Sequence, residues 1–498
     1  MTSHGRTLLW NVAAMLALGF LQRGMGLVSV TVLARLLGVS GVGAYAFVQS
    51  TSQTFFSVSR CGLDAGLHVG LGKLVVRGER ARIEATLGEG LSLFCLIAVV
   101  GAVVMSLLSD QIAAGLFHAP QLASLVKVGA VVFFALTLTQ FFYTAFAGLN
   151  AFVAYARISA LSGVLLLVAT VAGGFIAGVD GAVWGLAAAN LAGLSLLGLR
   201  LKAELSKHGL HLRPRWPARE ARSLLGIGFP FYANGLLLVP VDFLCMAYLS
   251  RVAGVEALGD LRATQTLMSV ATLVPAALAG PFVAQLAGRL EAGGSPNALL
   301  NQIRAIWILS LCLVIGLGTL WPFFIDVLFG TAFAQARTAG VVALTAFVPT
   351  MLLSTLTGGL LAMSRSRTLI AAGIFQAAIV SLCAYVLIPR YGLAGYLACQ
   401  TISMAAGIFA LMVVVPRHFP DGIWRAWMVP LSLLTLVLTG CLFADQWFEV
   451  RWPTRLSIGL CLSSFLVVAC GTTVLTRSER NAILSQVGHA ARDFLRPN

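Results

Sequence analysis

Apolar and polar residues follow one another along this chain in blocks. Some fourteen long apolar runs, at 7–36, 41–70, 86–108, 124–148, 151–178, 181–201, 223–250, 257–287, 302–325, 335–362, 367–389, 392–416, 426–444 and 455–476, are separated by short polar gaps. A run of roughly 20 apolar residues crosses a bilayer as a helix, and a helix satisfies its own backbone where no water is available. The pattern predicts an all-α integral membrane protein of about 14 transmembrane helices, multi-pass.

The positive residues sharpen that picture. Of the 33 lysines and arginines, most fall in alternate gaps and at the two ends. Lys73, Arg77, Arg80 and Arg82 lie at 71–85, and Lys202, Lys207, Arg213, Arg215, Arg219 and Arg222 at 202–222. Arg289, Arg365, Arg367, Arg417 and Arg425 follow, and then Arg477, Arg480, Arg492 and Arg496. The intervening gaps hold Arg251, Arg337, Arg390, Arg451 and Arg455. Basic residues are retained on the cytoplasmic side, so fourteen crossings put both termini in the cytoplasm. The longest periplasmic gap, 109–123, carries Asp110 and His118.

Composition closes off other classes. The chain is 59% hydrophobic and 10% charged, with a mean hydropathy of +0.92, against about 25% charge in a soluble protein. Its net charge of +15 is what such threading produces, and no basic run is interleaved with aromatics, which argues against nucleic acid. Arg6 leads into an apolar stretch too long for a signal-peptide core. The nine cysteines lie in apolar segments without CxxC spacing, and His208 and His211 lack a third ligand nearby; they read as packing residues and linker residues, not metal sites. Neither a catalytic constellation nor a cofactor is expected, beyond a coupling H⁺ or Na⁺.

The chain also repeats. Leu33-Ala34-Arg35-Leu36-Leu37-Gly38-Val39 with Gly43 is answered 216 positions later by Leu249-Ser250-Arg251-Val252-Ala253-Gly254-Val255 with Gly259, and Gln49 maps onto Gln265. Two parallel six-helix pseudo-repeats plus two C-terminal helices follow: an N-terminal lobe at 1–201, a cytoplasmic linker at 202–222 and a second lobe at 223–416. The extra helices are at 417–476 and a tail at 477–498, either a surface helix or a frayed end. Parallel repeats place a substrate site between the halves near the bilayer midplane and permit alternating access.

Leu33-Ala34-Arg35-Leu36-Leu37-Gly38 running into Gly43-Ala44-Tyr45, the stretch Leu63-Asp64-Ala65-Gly66-Leu67, and Phe229-Pro230 together resemble the oligosaccharide flippases of the multidrug/oligosaccharidyl-lipid/polysaccharide exporter superfamily. The resemblance covers the whole chain through its helix plan. It implies a Wzx-type flippase that moves undecaprenyl-pyrophosphate-linked repeat units from the cytoplasmic to the periplasmic leaflet of the bacterial inner membrane, for exopolysaccharide, capsule or O-antigen synthesis. It also implies a cationic central cavity and a groove for the lipid tail built partly by the last two helices. Expected partners are the polyprenyl-pyrophosphate-linked glycan and membrane lipid, with the polysaccharide polymerase and chain-length regulator as neighbours, and the chain working as a monomer.

Charges at membrane depth cost roughly 2.5–3.5 kcal/mol each on insertion scales and need a reason. Arg23 lies about 24 Å along the first helix at 1.5 Å per residue; it either meets a crossing pyrophosphate or acidic sugar or pairs with a carboxylate. Asp242 maps back onto position 26, one turn from Arg23, so it is a gating partner, a coupling-ion ligand or a residue in water at the periplasmic end. Arg60 and Asp64 share a helix face, as a local ion pair or as a diphosphate entry point and its partner. Arg262 and Lys127 lie where snorkelling is open to them; Arg262 is also close to Gln265. Gln49, Gln265 and Asn234 are candidate partners for sugar hydroxyls, with Gln53, Gln140, Tyr143 and Asn150 available too. Prolines 230, 240, 275 and 281 mark helices seven and eight as the bending pair.

Two rivals remain. A multidrug exporter of the same fold would carry more acidic cavity residues than this chain, whose membrane charges are mainly basic. A membrane polymerase or glycosyltransferase acting on the same lipid carrier would need a larger periplasmic segment with catalytic groups.

Overall fold

A computed structural model describes residues 3–207, 209–216, 219–272, 317–318, 320–362 and 366–414. Arg289, Pro275, Pro281, the helices expected at 426–444 and 455–476, and the tail lie outside the described residues. Among the described residues the α-helices include α1 (Ser3–Ser59), α2 (Leu63–Arg77), α3 (Arg80–Leu107), α4 (Ala123–Gly148), α5 (Phe152–Lys207), α6 (Arg219–Ala253), α7 (Glu256–Ala271), α8 (Ala334–Ala362) and α9 (Ser366–Val414). Among the described residues, six helices are long and apolar enough to cross a membrane.

Three of the long helices change direction at a glycine in or beside a gap of the apolar pattern. Gly38 breaks α1 at φ 68°, Gly178 breaks α5 at φ 59°, and Gly392 breaks α9 at φ 53°. Residues with a Cβ resist that region, so glycine sets where the chain turns. In α5 the arms then pack so closely that a Cβ on Gly173 would overlap the carbonyl of Gly181.

The apolar run at 41–70 is interrupted. Helix α1 stops at Ser59, Cys61 and Gly62 take φ values of 49° and 77°, and α2 resumes at Leu63. The polar gap at 71–85 shrinks for a related reason: α2 continues to Arg77, and the amide of Gly78, in the left-handed region, bonds back to Leu74 and Val75. Sparse apolar residues there hid a helix whose inner face is Leu67, Leu71 and Leu74. The linker is shorter than expected as well, with α5 running to Lys207 and α6 starting at Arg219. Between them the His211 amide donates to Glu84 at 2.8 Å, the Arg215 amide to the Gly88 carbonyl at 3.3 Å, and Arg82 meets Glu220 at 3.2 Å. These bonds strap the linker to the start of α3.

The two repeats meet reciprocally. At the end of the bundle near Gly38 and Gly254, a Cβ on Gly43 would overlap the Val255 carbonyl, and one on Gly259 would overlap the Val39 carbonyl. Each contact is the other moved by 216 positions, which makes this junction of α1 and α7 a local pseudo-twofold. At the opposite end Gly62 and Gly228 approach each other in the same backbone-to-backbone way. Tyr232 ties that end by donating its hydroxyl to the carbonyls of Ser57, at 2.7 Å, and Val58. Buried apolar side chains of α1, α4, α6, α7, α8 and α9 form one continuous core, while one side of α3 (Val99, Val100, Val103, Leu107) stays open, as a lipid-facing surface requires.

Candidate transport cavity

Between the halves lies a cavity of about 480 Å³. The second arm of α1 lines it with Gln49 and Gln53, α6 with Asp242 and Phe243, α7 with Arg262 and Gln265, and α9 with Gln376, Tyr396 and Gln400. A smaller cavity of about 240 Å³ sits inside the N-terminal half, walled by Gln22, Tyr45, Tyr155, Ser159 and Asn190. Gln49 and Arg262 line both, so they form the partition between them.

That partition is polar and incompletely bonded. Gln49 Oε1 and Arg262 Nε are both buried without a hydrogen-bond partner among the described residues, and no described carboxylate forms an ion pair with Arg262. A guanidinium presents five donors, and leaving even its Nε–H unmatched at membrane depth is costly. Gln265, the repeat counterpart of Gln49, is exposed to the same cavity. A cation flanked by amides suits an anionic group carrying hydroxylated neighbours.

Asp242 is held differently. Its Oδ1 accepts the Tyr396 hydroxyl at 2.8 Å and the Gln400 amide, while Gln400 and Tyr396 touch at 3.4 Å. Tyr396 and Gln400, one turn apart on α9, were missed in the sequence; the only signal was a polar pair spaced i, i+4 in an otherwise apolar segment.

Arg23 does not reach Asp242 among the described residues. Its Nη1 donates to the Ser269 carbonyl at 2.9 Å and the Thr272 hydroxyl at 3.0 Å, joining α1 to the last turn of α7, a position where a cation meets the negative end of a helix. The repeat explains the separation: Gly26, the counterpart of Asp242, faces the smaller cavity, while Asp242 faces the larger. Arg60 and Asp64 pair at 2.8 Å beside the α1–α2 break, with Gln140 donating to Asp64 at 3.4 Å and the Arg60 guanidinium 5.0 Å above the Phe56 ring. Neither lines either cavity, although Arg60 Nε is buried without a hydrogen-bond partner among the described residues. Asn234 is on α6, and its side chain lies outside the described residues. Among the described residues no three His, Cys, Asp or Glu gather as metal ligands.

Among the described residues the chain is an all-helical membrane protein built around this cavity, and comparison with known proteins places it in a family. The chain belongs to the polysaccharide biosynthesis protein family, whose pattern matches residues 8–286. Its structure is similar to a lipid II flippase MurJ in an inward closed conformation, at 14% identity and a TM-score of 0.69, over 92% of this chain and 98% of the other. It is similar to an inward-facing multidrug resistance MATE family transporter of the MOP superfamily, at 15% identity and a TM-score of 0.59, over 85% and 99%. A eukaryotic MATE transporter matches at 14% identity and a TM-score of 0.60, over 87% and 98%. At these identities the likeness establishes a shared fold. No curated protein sequence matches this chain.

Proposed function

We propose that this protein flips polyprenyl-pyrophosphate-linked oligosaccharide repeat units from the cytoplasmic to the periplasmic leaflet of the bacterial inner membrane, without covalent chemistry, for exopolysaccharide, capsule or O-antigen assembly. The carrying observation is the Arg262 guanidinium, whose buried Nε has no hydrogen-bond partner among the described residues, beside Gln49 and Gln265 in a cavity formed by both repeats. The diphosphate has a charge partner there, and the sugars have amides and hydroxyls to exchange for water. Family membership supports the reading.

Alternating access follows from rocking one repeat against the other. Arg23, bonded across the seam to α7, holds one state of that motion. Asp242, with Tyr396 and Gln400, is the coupling position: its carboxylate takes up H⁺ or Na⁺, and the two donors on α9 report the change to the second lobe. Both termini are cytoplasmic, and the polymerase and chain-length regulator receive the product. Arg60 and Asp64, beside the break between α1 and α2, meet the diphosphate on entry.

A second reading, a cation-coupled multidrug exporter, is favoured by Asp242 facing the same cavity, where it would pair with an organic cation. Proteoliposome transport separates the two. The flippase reading expects a fluorescent lipid-linked oligosaccharide to cross and a cationic dye to stay, with Arg262→Ala slowing the first about 10- to 100-fold; dye transport that survives Arg262→Ala and fails in Asp242→Asn would replace it.

A further inference from the structure

Away from the central cavity, α2 and the turn between α4 and α5 enclose a groove of about 460 Å³. The buried Ala147 and Gly148 lie at its floor, and the exposed Val69, Lys73, Val76 and Arg77 form its α2 wall. A Cβ added to Gly72, also in that wall, would meet no atom within 4 Å, so the groove is open there. One added to Gly148 would run into the Leu71 side chain, so the end of α4 lies directly against α2.

Val69, Lys73 and Arg77 follow at four-residue spacing and share a side of α2, about 12 Å from first to last at 1.5 Å per residue. Among the described residues Lys73 forms no ion pair, and Arg77 comes only within 3.8 Å of Glu79, whose other oxygen takes Arg82 at 2.9 Å. The cations are therefore weakly neutralised, and they adjoin apolar surface: Val69 and Val76 are 39% and 87% exposed. The sorting of basic residues puts this end of the bundle at the cytoplasmic leaflet, where phosphate and acyl chain meet. An amphiphile with a net negative head suits such a place, and a zwitterionic one brings an ammonium that two bare cations repel.

The same helix carries a contact between the repeats. A Cβ on Gly66 would overlap the Leu224 carbonyl of α6, and one on Gly62, just before α2, would overlap the Gly228 carbonyl. We propose that the groove binds an anionic glycerophospholipid of the cytoplasmic leaflet, its phosphate on Lys73 and Arg77, and that this lipid clamps α2 to the α4–α5 turn and so steadies the α2–α6 contact. The site is separate from the transport cavity and does not depend on the flippase reading.

The test is native mass spectrometry of the full chain titrated with phosphatidylglycerol or phosphatidylethanolamine, with melting temperature measured alongside. The wild type retains phosphatidylglycerol in preference. Lys73→Gln weakens that retention about fivefold and Lys73→Gln with Arg77→Gln about 20-fold, as loss of one and two interfacial cations implies. Lys202→Gln with Arg222→Gln removes the same charge from the same face and changes it less than about twofold. Gly72→Leu keeps both cations, fills the groove and weakens retention comparably. Phosphatidylglycerol raises the melting temperature of the wild type and leaves that of Gly72→Leu unchanged. Equal losses in the two double variants would mean diffuse surface attraction and overturn the site, as would wild-type retention by Gly72→Leu. Retention of polyprenyl pyrophosphate that falls in parallel with phosphatidylglycerol in the Lys73 and Arg77 variants would hand the groove to the substrate and overturn the assignment. Binding without a rise in melting temperature overturns the clamp.

Discussion

The two repeats are alike where they pack and unlike where they face the cavity. Gly43 against Val255 and Gly259 against Val39 are the same contact made twice. By contrast Arg262 corresponds to Ala46, and Asp242 to Gly26. Duplication preserved the joint, because backbones in contact admit no side chain, and left the inner walls free to diverge. Both charged residues that line the cavities among the described residues stand on the second repeat, so in the proposed function the substrate is held from one side.

Breaking the shared joint should have the largest effect. Gly43→Leu and Gly259→Leu each drive a side chain into a backbone carbonyl that cannot shift, and each is expected to cost about 3 kcal/mol or more. Fluorescence-detected size-exclusion should show loss of the monodisperse species, with the double variant little worse than either single one because both strike one interface. Normal behaviour of either variant would mean that the pseudo-twofold contact is not needed.

The unlike half of the comparison is tested next. Arg262→Ala is expected to slow translocation about 10- to 100-fold, as loss of a charge-assisted bond of roughly 1.5–3 kcal/mol implies, while Arg262→Lys keeps part of the rate. Ala46→Arg combined with Arg262→Ala should not restore it, since Ala46 is buried and lines neither cavity. Asp242→Asn should leave the Tyr396 bond possible and remove the charge; translocation then stops responding to an imposed H⁺ or Na⁺ gradient, with a rate loss of about tenfold if gradient response is worth ~1.4 kcal/mol. A persisting response would assign coupling elsewhere. Arg23→Gln has the smallest expected effect, about 1 kcal/mol of lobe-to-lobe stability from a half-buried donor, read as a lower melting temperature with lipid affinity unchanged. A large loss of affinity would make Arg23 a substrate contact.

Much of this organisation was readable in the residues, for stated reasons. Gly38 falls in a gap of the apolar pattern, and Gly178 and Gly392 at the edges of one, because turns expose backbone and need special dihedrals. The reciprocal joint was readable because a close approach restricts both copies to the same small residues. The break at Cys61 and Gly62 was not, since a single left-handed step inside an apolar run leaves no polar mark. The setting of Asp242 was equally hidden: Tyr396 and Gln400 come from a helix some 150 residues away, and only folding brings them together. Arg23 shows the limit most clearly. Depth along a helix identified it as costly, yet depth carries no azimuth, and its partners are a carbonyl and a hydroxyl on α7 where a carboxylate was an option.

Whether Arg262 holds the diphosphate between the repeats is decided by equilibrium binding of polyprenyl-pyrophosphate disaccharide to purified wild type and Arg262→Ala, with the monophosphate analogue measured in parallel. The wild type is expected to prefer the pyrophosphate, and the variant to lose that preference and bind about tenfold or more weakly. Equal affinities for the two proteins, or a pyrophosphate preference surviving in Arg262→Ala, would contradict it.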